Sequence, residues 1–359
     1  MASLLPLLLV SASSSTLDAQ SPMAPVLADL QAQAPILPLR ISGLITAVLT
    51  PFDSNGALAL RVVPDQMKYL NATGCNWVFV GGTTGESLSL TIPERKQLFD
   101  AWLSPSRAFP FDVIAHVGAE SIEDAKDLAR HAAAGGARAI GVMPPSFFKP
   151  ASAQALAATV AAVCNAAPSL PCYYYHIPSM NEVAIPMFDF VKAIEPLAAN
   201  FVGLKYTGMY TFPGMYGASK VIAYKDGKYE VLSGREEMML EAVAIGIRGF
   251  VGSQFNVAAD LYNRLLQKAL VEGITERSRP GLLALQSKSH ALLDAWQVPL
   301  GSKGHDGFKF FAQLAGIKVG EARLPTLPLD HGQQKVLADS FRAFCASESG
   351  IGLKMCANT

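Results

Sequence analysis

Phe201-Val202-Gly203-Leu204-Lys205-Tyr206-Thr207-Gly208 is an apolar, strand-like run with a single cation set inside it. Lysine almost never sits within a buried strand unless its amine is used. The run therefore carries two expectations, a buried strand and a working amine. Seven further runs of β-branched or aromatic residues occur at Leu44 to Phe52, Trp77 to Gly82, Asp112 to Gly118, Ala139 to Pro144, Pro171 to Pro178, Tyr229 to Gly234 and Gly249 to Phe255. Ala/Leu-rich stretches separate them, which is the pattern of parallel βαβ units. Eight is the closure number of the (β/α)8 barrel, so an α/β fold of the TIM-barrel type is predicted.

Helix starts support the alternation. Thr91-Ile92-Pro93-Glu94 and Ser121-Ile122-Glu123-Asp124 each place a hydroxyl at the N-cap and a carboxylate three residues on. Ile122, Ala125, Leu128, Ala129, Ala132 and Ala133 then recur at helical spacing. Beyond the eighth run, about a hundred residues lack clear strands, which predicts additional C-terminal helices packed on the barrel. Residues 1–40 differ in composition and read as an extension, either targeting or disordered. The domain expected is therefore 41–359, a barrel with a C-terminal helical extension.

Of the 359 residues, 50% are hydrophobic and 16% charged, enough for one large core. Lys plus Arg equals Asp plus Glu at 29 each, so no net field recruits nucleic acid or an anionic membrane. A small-molecule partner is expected. No apolar stretch approaches the roughly 18 residues of a membrane span. Cys75, Cys164, Cys172, Cys345 and Cys356 are odd in number and lack C-x-x-C spacing, which predicts neither a zinc site nor a disulfide framework and favours a reducing, cytoplasmic location. The histidines form no H-x-H or H-E-x-x-H pair, so metal-dependent chemistry is disfavoured.

In a parallel barrel the site lies at the C-terminal ends of the strands. Thr83 and Thr84 follow the second run, Tyr175 is late in the fifth, Lys205 late in the sixth, Glu236 and Glu237 follow the seventh, and Ser253 is in the eighth. A free lysine titrates near about 10.4, so an imine-forming amine needs desolvation among apolar neighbours such as Val202 and Leu204. The competing reading is a lysine that snorkels to the barrel mouth or pairs with a carboxylate. Tyr173 and Tyr175 share a strand face, and a phenol beside an imine can relay a proton; simple aromatic packing is the alternative. Gly82-Thr83-Thr84-Gly85-Glu86 joins a strand to a following helix, so its N–H groups and hydroxyls suit a carboxylate. Glu236 and Glu237 open a helix, where carboxylates also simply complement its dipole.

Gly-Thr-Thr-Gly-Glu, Tyr-Tyr-Tyr-His-Ile-Pro, Gly-Leu-Lys-Tyr-Thr and Gly-Phe-Val-Gly-Ser-Gln-Phe-Asn, in this order, resemble the pyruvate-dependent class I aldolase family that includes dihydrodipicolinate synthase and N-acetylneuraminate lyase. The resemblance runs from about Gly43 to about Leu329. It implies that Lys205 forms the imine, that Tyr175 is the proton-relay phenol, and that Thr83 and Thr84 hold the pyruvate carboxylate. Thr207, Gly234, Glu236, Glu237 and Ser253 would face the sugar. Leu170 to Pro178 and Ala322-Arg323-Leu324-Pro325 resemble the lyase branch, implying cleavage of N-acetylneuraminate to N-acetylmannosamine and pyruvate without metal or organic cofactor, in a homotetramer.

Departures bear on the acceptor half. Ser179-Met180-Asn181-Glu182 lacks the arginine with which the synthases bind a second carboxylate, and Phe147 and Phe148 stand where they lend a tyrosine across a subunit contact. The lyase Gly-x-Asp-Glu becomes Gly234-Arg235-Glu236-Glu237, which could displace a carboxylate by on the order of an ångström and slow the reaction about a hundredfold. A 2-keto-3-deoxy sugar acid or 4-hydroxy-2-oxoglutarate is the alternative substrate. A barrel that binds such acids without turnover is the remaining reading.

Overall fold

Strands form at each of the eight runs: Gly43–Ala47 (β1), Trp77–Val80 (β2), Asp112–His116 (β3), Ala139–Val142 (β4), Cys172–His176 (β5), Phe201–Tyr206 (β6), Glu230–Ser233 (β7) and Gly249–Gly252 (β8). The computed structural model describes residues 38–104, 109–208, 211–301 and 304–357, so the expected 1–40 extension lies almost wholly outside the described residues. All neighbouring strands pair in parallel, and β1 closes on β8 with Gly43 opposite Gly249. The predicted (β/α)8 barrel is the fold observed.

The main helices between strands are Val63–Ala72 (α1), Ile92–Leu103 (α2), Ile122–Ala134 (α3), Ala153–Cys164 (α4), Met187–Ile194 (α5), Phe212–Ala223 (α6) and Met239–Ala244 (α7), with a single helical turn at Pro178–Asn181 before α5 and Phe255–Glu272 (α8) after β8. Thr91 and Glu94 form a reciprocal capping box at α2, and Ser121 accepts from the Asp124 N–H at α3. Three further helices complete the chain: Arg279–Gln297 (α9), Gly304–Leu314 (α10) and His331–Ala346 (α11). They pack on one another, with α9 against α8 and α11.

The strands are shorter than the runs that predicted them. The first strand stops at Ala47 because the chain beyond it finds other partners: the Leu49 N–H donates to Asn256 Oδ1 at 3.4 Å, the Phe52 N–H donates to the Val319 carbonyl at 3.0 Å, and Pro51 has no N–H to give. Ser253 lies just past β8 rather than within it.

Two apolar layers result. One fills the barrel and includes Ile45, Phe79, Tyr173, Tyr175, Val202, Leu232 and Val251; the other joins strands to helices and includes Leu204. Leu204, expected to desolvate Lys205, therefore faces the helices, because strand neighbours alternate sides. Tyr174 likewise faces outward and packs 4.4 Å from the Phe190 ring of α5, leaving Tyr173 and Tyr175 inside.

The cysteine expectation is corrected. Cys164, ending α4, is bonded to Cys172, opening β5, and Cys345 near the end of α11 is bonded to Cys356. In the first pair a helix-to-strand return brings the two Cα atoms within 5.6 Å. Spacing rules for tight motifs do not register such a return. Cys75 stays free and buried.

Candidate active site

Lys205 and Tyr175 face each other in register across β5 and β6. Adjacent strands lie about 4.8 Å apart, so the ladder itself sets amine beside phenol. Lys205 is 4% exposed. Its Nζ lies 3.9 Å from the Tyr175 ring centroid and 4.2 Å from that of Phe79. Among the described residues no carboxylate pairs with it, which removes the salt-bridge reading of this lysine. The Tyr175 hydroxyl lies 3.2 Å from Thr83 Oγ1. Amine, phenol and threonine thus meet at the C-terminal mouth of the barrel.

The turn that carries Thr83 is held from beneath. His116, at the end of β3, sets Nδ1 2.7 Å from the Gly81 carbonyl, and its ring stands edge-on to Tyr175 at 5.6 Å. Burial pushes this imidazole well below its usual range, and the Arg95 charge adds to the effect, so it is neutral. Arg95 in turn donates to the carbonyls of His116 at 2.6 Å and Gly118 at 2.8 Å. The spacing of His116 in the sequence carries no sign of this support, which depends on where the Gly81 carbonyl falls in the folded chain.

Gly82 to Glu86, expected to join a strand to a following helix, enters a single 3₁₀ turn, Ser87–Ser89, and α2 starts only at Ile92. The reason is Glu86, whose left-handed backbone (φ 53°) turns its side chain toward the C-terminal helices. Its Oε1 accepts from Lys309 Nζ at 2.8 Å and its Oε2 from the Arg323 N–H at 3.0 Å.

All nine residues singled out in the sequence line one cavity of about 180 Å³: Thr83, Thr84, Tyr175, Lys205, Thr207, Gly234, Glu236, Glu237 and Ser253. Gly234 is there for space, since a Cβ would sit 1.9 Å from Thr207 Oγ1. Glu236 is committed differently from the expectation. Its Oε1 accepts from the Ser253 N–H at 2.8 Å, Ser253 Oγ at 2.9 Å and the Gln254 N–H at 2.9 Å. The longer side chain therefore clamps the turn after β8. Burial raises its pKa above the ordinary carboxylate value, and the Glu237 charge adds to this. Gly252 makes the clamp fit, because a Cβ there would meet the Phe255 ring at 2.7 Å and Glu236 Cδ at 3.0 Å.

Glu237 is left to face the cavity, with Arg235 Nη1 3.4 Å from its Oε1. Arg235, Gln254 and the α9 residues Leu293, Trp296 and Gln297 also line the wall. Sequence reasoning missed these five. Arg235 and Gln254 adjoin flagged motifs, which was a usable signal; the α9 residues arrive only through tertiary packing.

A buried lysine at the mouth of a closed parallel barrel, beside a phenol hydrogen-bonded to a threonine, defines the class of lysine-imine aldolases. The profile of the Dihydrodipicolinate synthetase family matches residues 40–343, and the chain belongs to that family, whose N-acetylneuraminate lyase-like members are lyases. It is 33% identical to the N-acetylneuraminate lyase of Danio rerio over 85% of this chain and 97% of that one. It is 36% identical to that of Xenopus tropicalis over 80% and 90%. The solved structure of Proteus mirabilis N-acetylneuraminate lyase superposes with a TM-score of 0.77 at 33% identity, covering 85% of this chain and 99% of that one.

Proposed function

We propose that this chain cleaves N-acetylneuraminate to N-acetylmannosamine and pyruvate through an imine on Lys205. The observation that carries the reading is the Lys205–Tyr175–Thr83 constellation, in a family whose similar members bear the lyase name. The Lys205 amine adds to the C2 ketone of the open-chain substrate and water is lost, giving a protonated imine. Tyr175 relays the proton off the C4 hydroxyl as the C3–C4 bond breaks and its electron pair flows to the imine nitrogen. The aldehyde leaves, the enamine takes a proton at C3, and hydrolysis returns the amine and frees pyruvate. Thr83 and Thr84 hold the carboxylate, while Thr207, Gly234, Glu237 and the Glu236-braced Ser253 face the sugar.

Pyruvate release from N-acetylneuraminate, compared with a panel of shorter 2-oxo acids, tests the substrate. Borohydride with pyruvate tests the chemistry, and absence of an adduct at Lys205 would sink it. Assembly into a homotetramer is part of the proposal, supported by the exposed apolar side chains Leu88, Phe147, Phe148 and Met180, which suit a subunit contact; light scattering measures it. Among the described residues no helix is long and apolar enough to cross a membrane. The two disulfides favour an oxidising compartment over the cytoplasm expected from cysteine spacing.

A further inference from the structure

Arg95 shares a buried face of α2 with Leu98, Phe99 and Trp102 and is 1% exposed. Among the described residues no carboxylate lies within ion-pair distance of its guanidinium, which donates instead to two main-chain carbonyls, those of Gly118 at 2.8 Å and His116 at 2.6 Å. Burial lowers its pKa to about 10, so the group stays charged at neutral pH. An apolar side chain of similar volume often replaces a buried charge without loss of stability, so packing alone gives no reason for an arginine here.

The two bonds fix the end of β3, and with it the His116 ring. That ring is wholly buried, and its Nδ1 lies 2.7 Å from the Gly81 carbonyl. A carbonyl only accepts, so the imidazole keeps its proton on Nδ1 and donates it. Gly81, at φ 68°, and Gly82 both lack a Cβ, so little in the chain itself stops the peptide between them from turning over. That peptide is planar, and holding its carbonyl also fixes the direction of the Gly82 N–H and the entry to Thr83 and Thr84. Neither Arg95 nor His116 lines the cavity, so any effect on substrate passes through residues that do.

We infer that Arg95 and His116 are positioning residues for the 2-oxo acid: they pin the Gly81 carbonyl so that the 81–86 turn is preset to receive the substrate carboxylate, and so they set how tightly the acid is held rather than how fast its imine reacts. The inference rests on the lysine-imine reading above. Without the imidazole donor the Gly81 carbonyl is stranded, and the turn must be ordered at the expense of binding.

The test compares His116→Phe, which keeps a ring beside Tyr175 and loses the donor, with His116→Asn, which loses the ring and keeps a donor near the Nδ1 position. Each is checked by thermal unfolding. Borohydride trapping at graded pyruvate concentrations gives the half-saturating pyruvate, and pyruvate release from N-acetylneuraminate gives KM and kcat. His116→Phe should raise the half-saturating pyruvate and KM about 10-fold or more with kcat within about threefold of wild type, and His116→Asn should recover most of the difference. Should His116→Phe fail to fold, Arg95→Met, which removes a charge that has no carboxylate partner, should show the same split to a smaller degree. A loss of stability with the half-saturating pyruvate unchanged, a fall in kcat without a rise in KM, or His116→Asn no better than His116→Phe overturns the inference. Failure of the wild type to trap pyruvate at any concentration would instead strike the lysine-imine reading itself.

Discussion

Lys205 and Lys309 are both buried, 4% and 0% exposed, and both lie over an aromatic ring, yet their polar surroundings are opposite. Lys309, on α10, gives its protons to Glu86 Oε1 at 2.8 Å and to the Glu321 carbonyl at 2.9 Å. Among the described residues the Lys205 amine lies against two rings, with no carboxylate paired to it, and lines a cavity. Burial therefore does not separate a structural from a chemical lysine. A buried ammonium with a carboxylate and a carbonyl has its donors satisfied; one set among rings leaves its nitrogen facing a substrate-sized space.

The sharpest way to break the comparison is to remove each amine. Lys205→Met should abolish borohydride trapping and lower the rate at least about a thousandfold, with the thermal midpoint within a few degrees of wild type. A large stability loss with residual trapping elsewhere would make Lys205 structural. Lys309→Met should do the reverse. It strands the Glu86 carboxylate and should cost about 3–5 kcal/mol in denaturant unfolding, while the folded fraction still traps pyruvate. Adding Glu86→Gln to that variant should recover part of the loss.

A smaller effect sharpens the structural side. Arg323 reaches Glu94 at 2.5 Å, the Gly56 carbonyl at 2.8 Å and the Ser89 carbonyl at 3.0 Å, tying the segment after α10 to the start of α2. The Arg323 hydrogen bond holds the Glu94 carboxyl at about 2, against an ordinary value of 4.5. The unfolded chain takes up that proton first on acidification, so the stabilisation is whole above about pH 4.5 and drains away as pH falls toward 2. Arg323→Met should cost about 1–2 kcal/mol at neutral pH after allowance for solvent screening. The gap to wild type should close across that acid window in urea titrations. A gap that stays constant with pH would mean the loss is packing alone.

The barrel was legible because its signal is local. Each strand is a short β-branched or aromatic run and each helix carries its own cap, as at Thr91 and Ser121. Site residues were legible for a topological reason: a parallel closed sheet sends every strand's C-terminal end to one face, so flagging strand ends flags one cavity. Glu236 shows the limit of this. Its place on the wall was foreseen, but its bonds to Ser253 and Gln254 depend on where the chain after β8 passes, which is not a local property. The same holds for Cys164 and Cys172, brought together by a return that their spacing does not announce.

The order of residues alone determined the alternation of strands and helices, the number eight, and the appearance of a lysine, a tyrosine and two threonines at strand ends, because side-chain periodicity and capping act over a few neighbouring positions. Tertiary structure decided which buried lysine is satisfied and which is left facing the cavity. It also seated Leu293, Trp296 and Gln297 of α9 on the cavity wall. These outcomes depend on contacts between segments far apart in the chain, and such contacts exist only once the barrel has closed and the C-terminal helices have packed over its mouth.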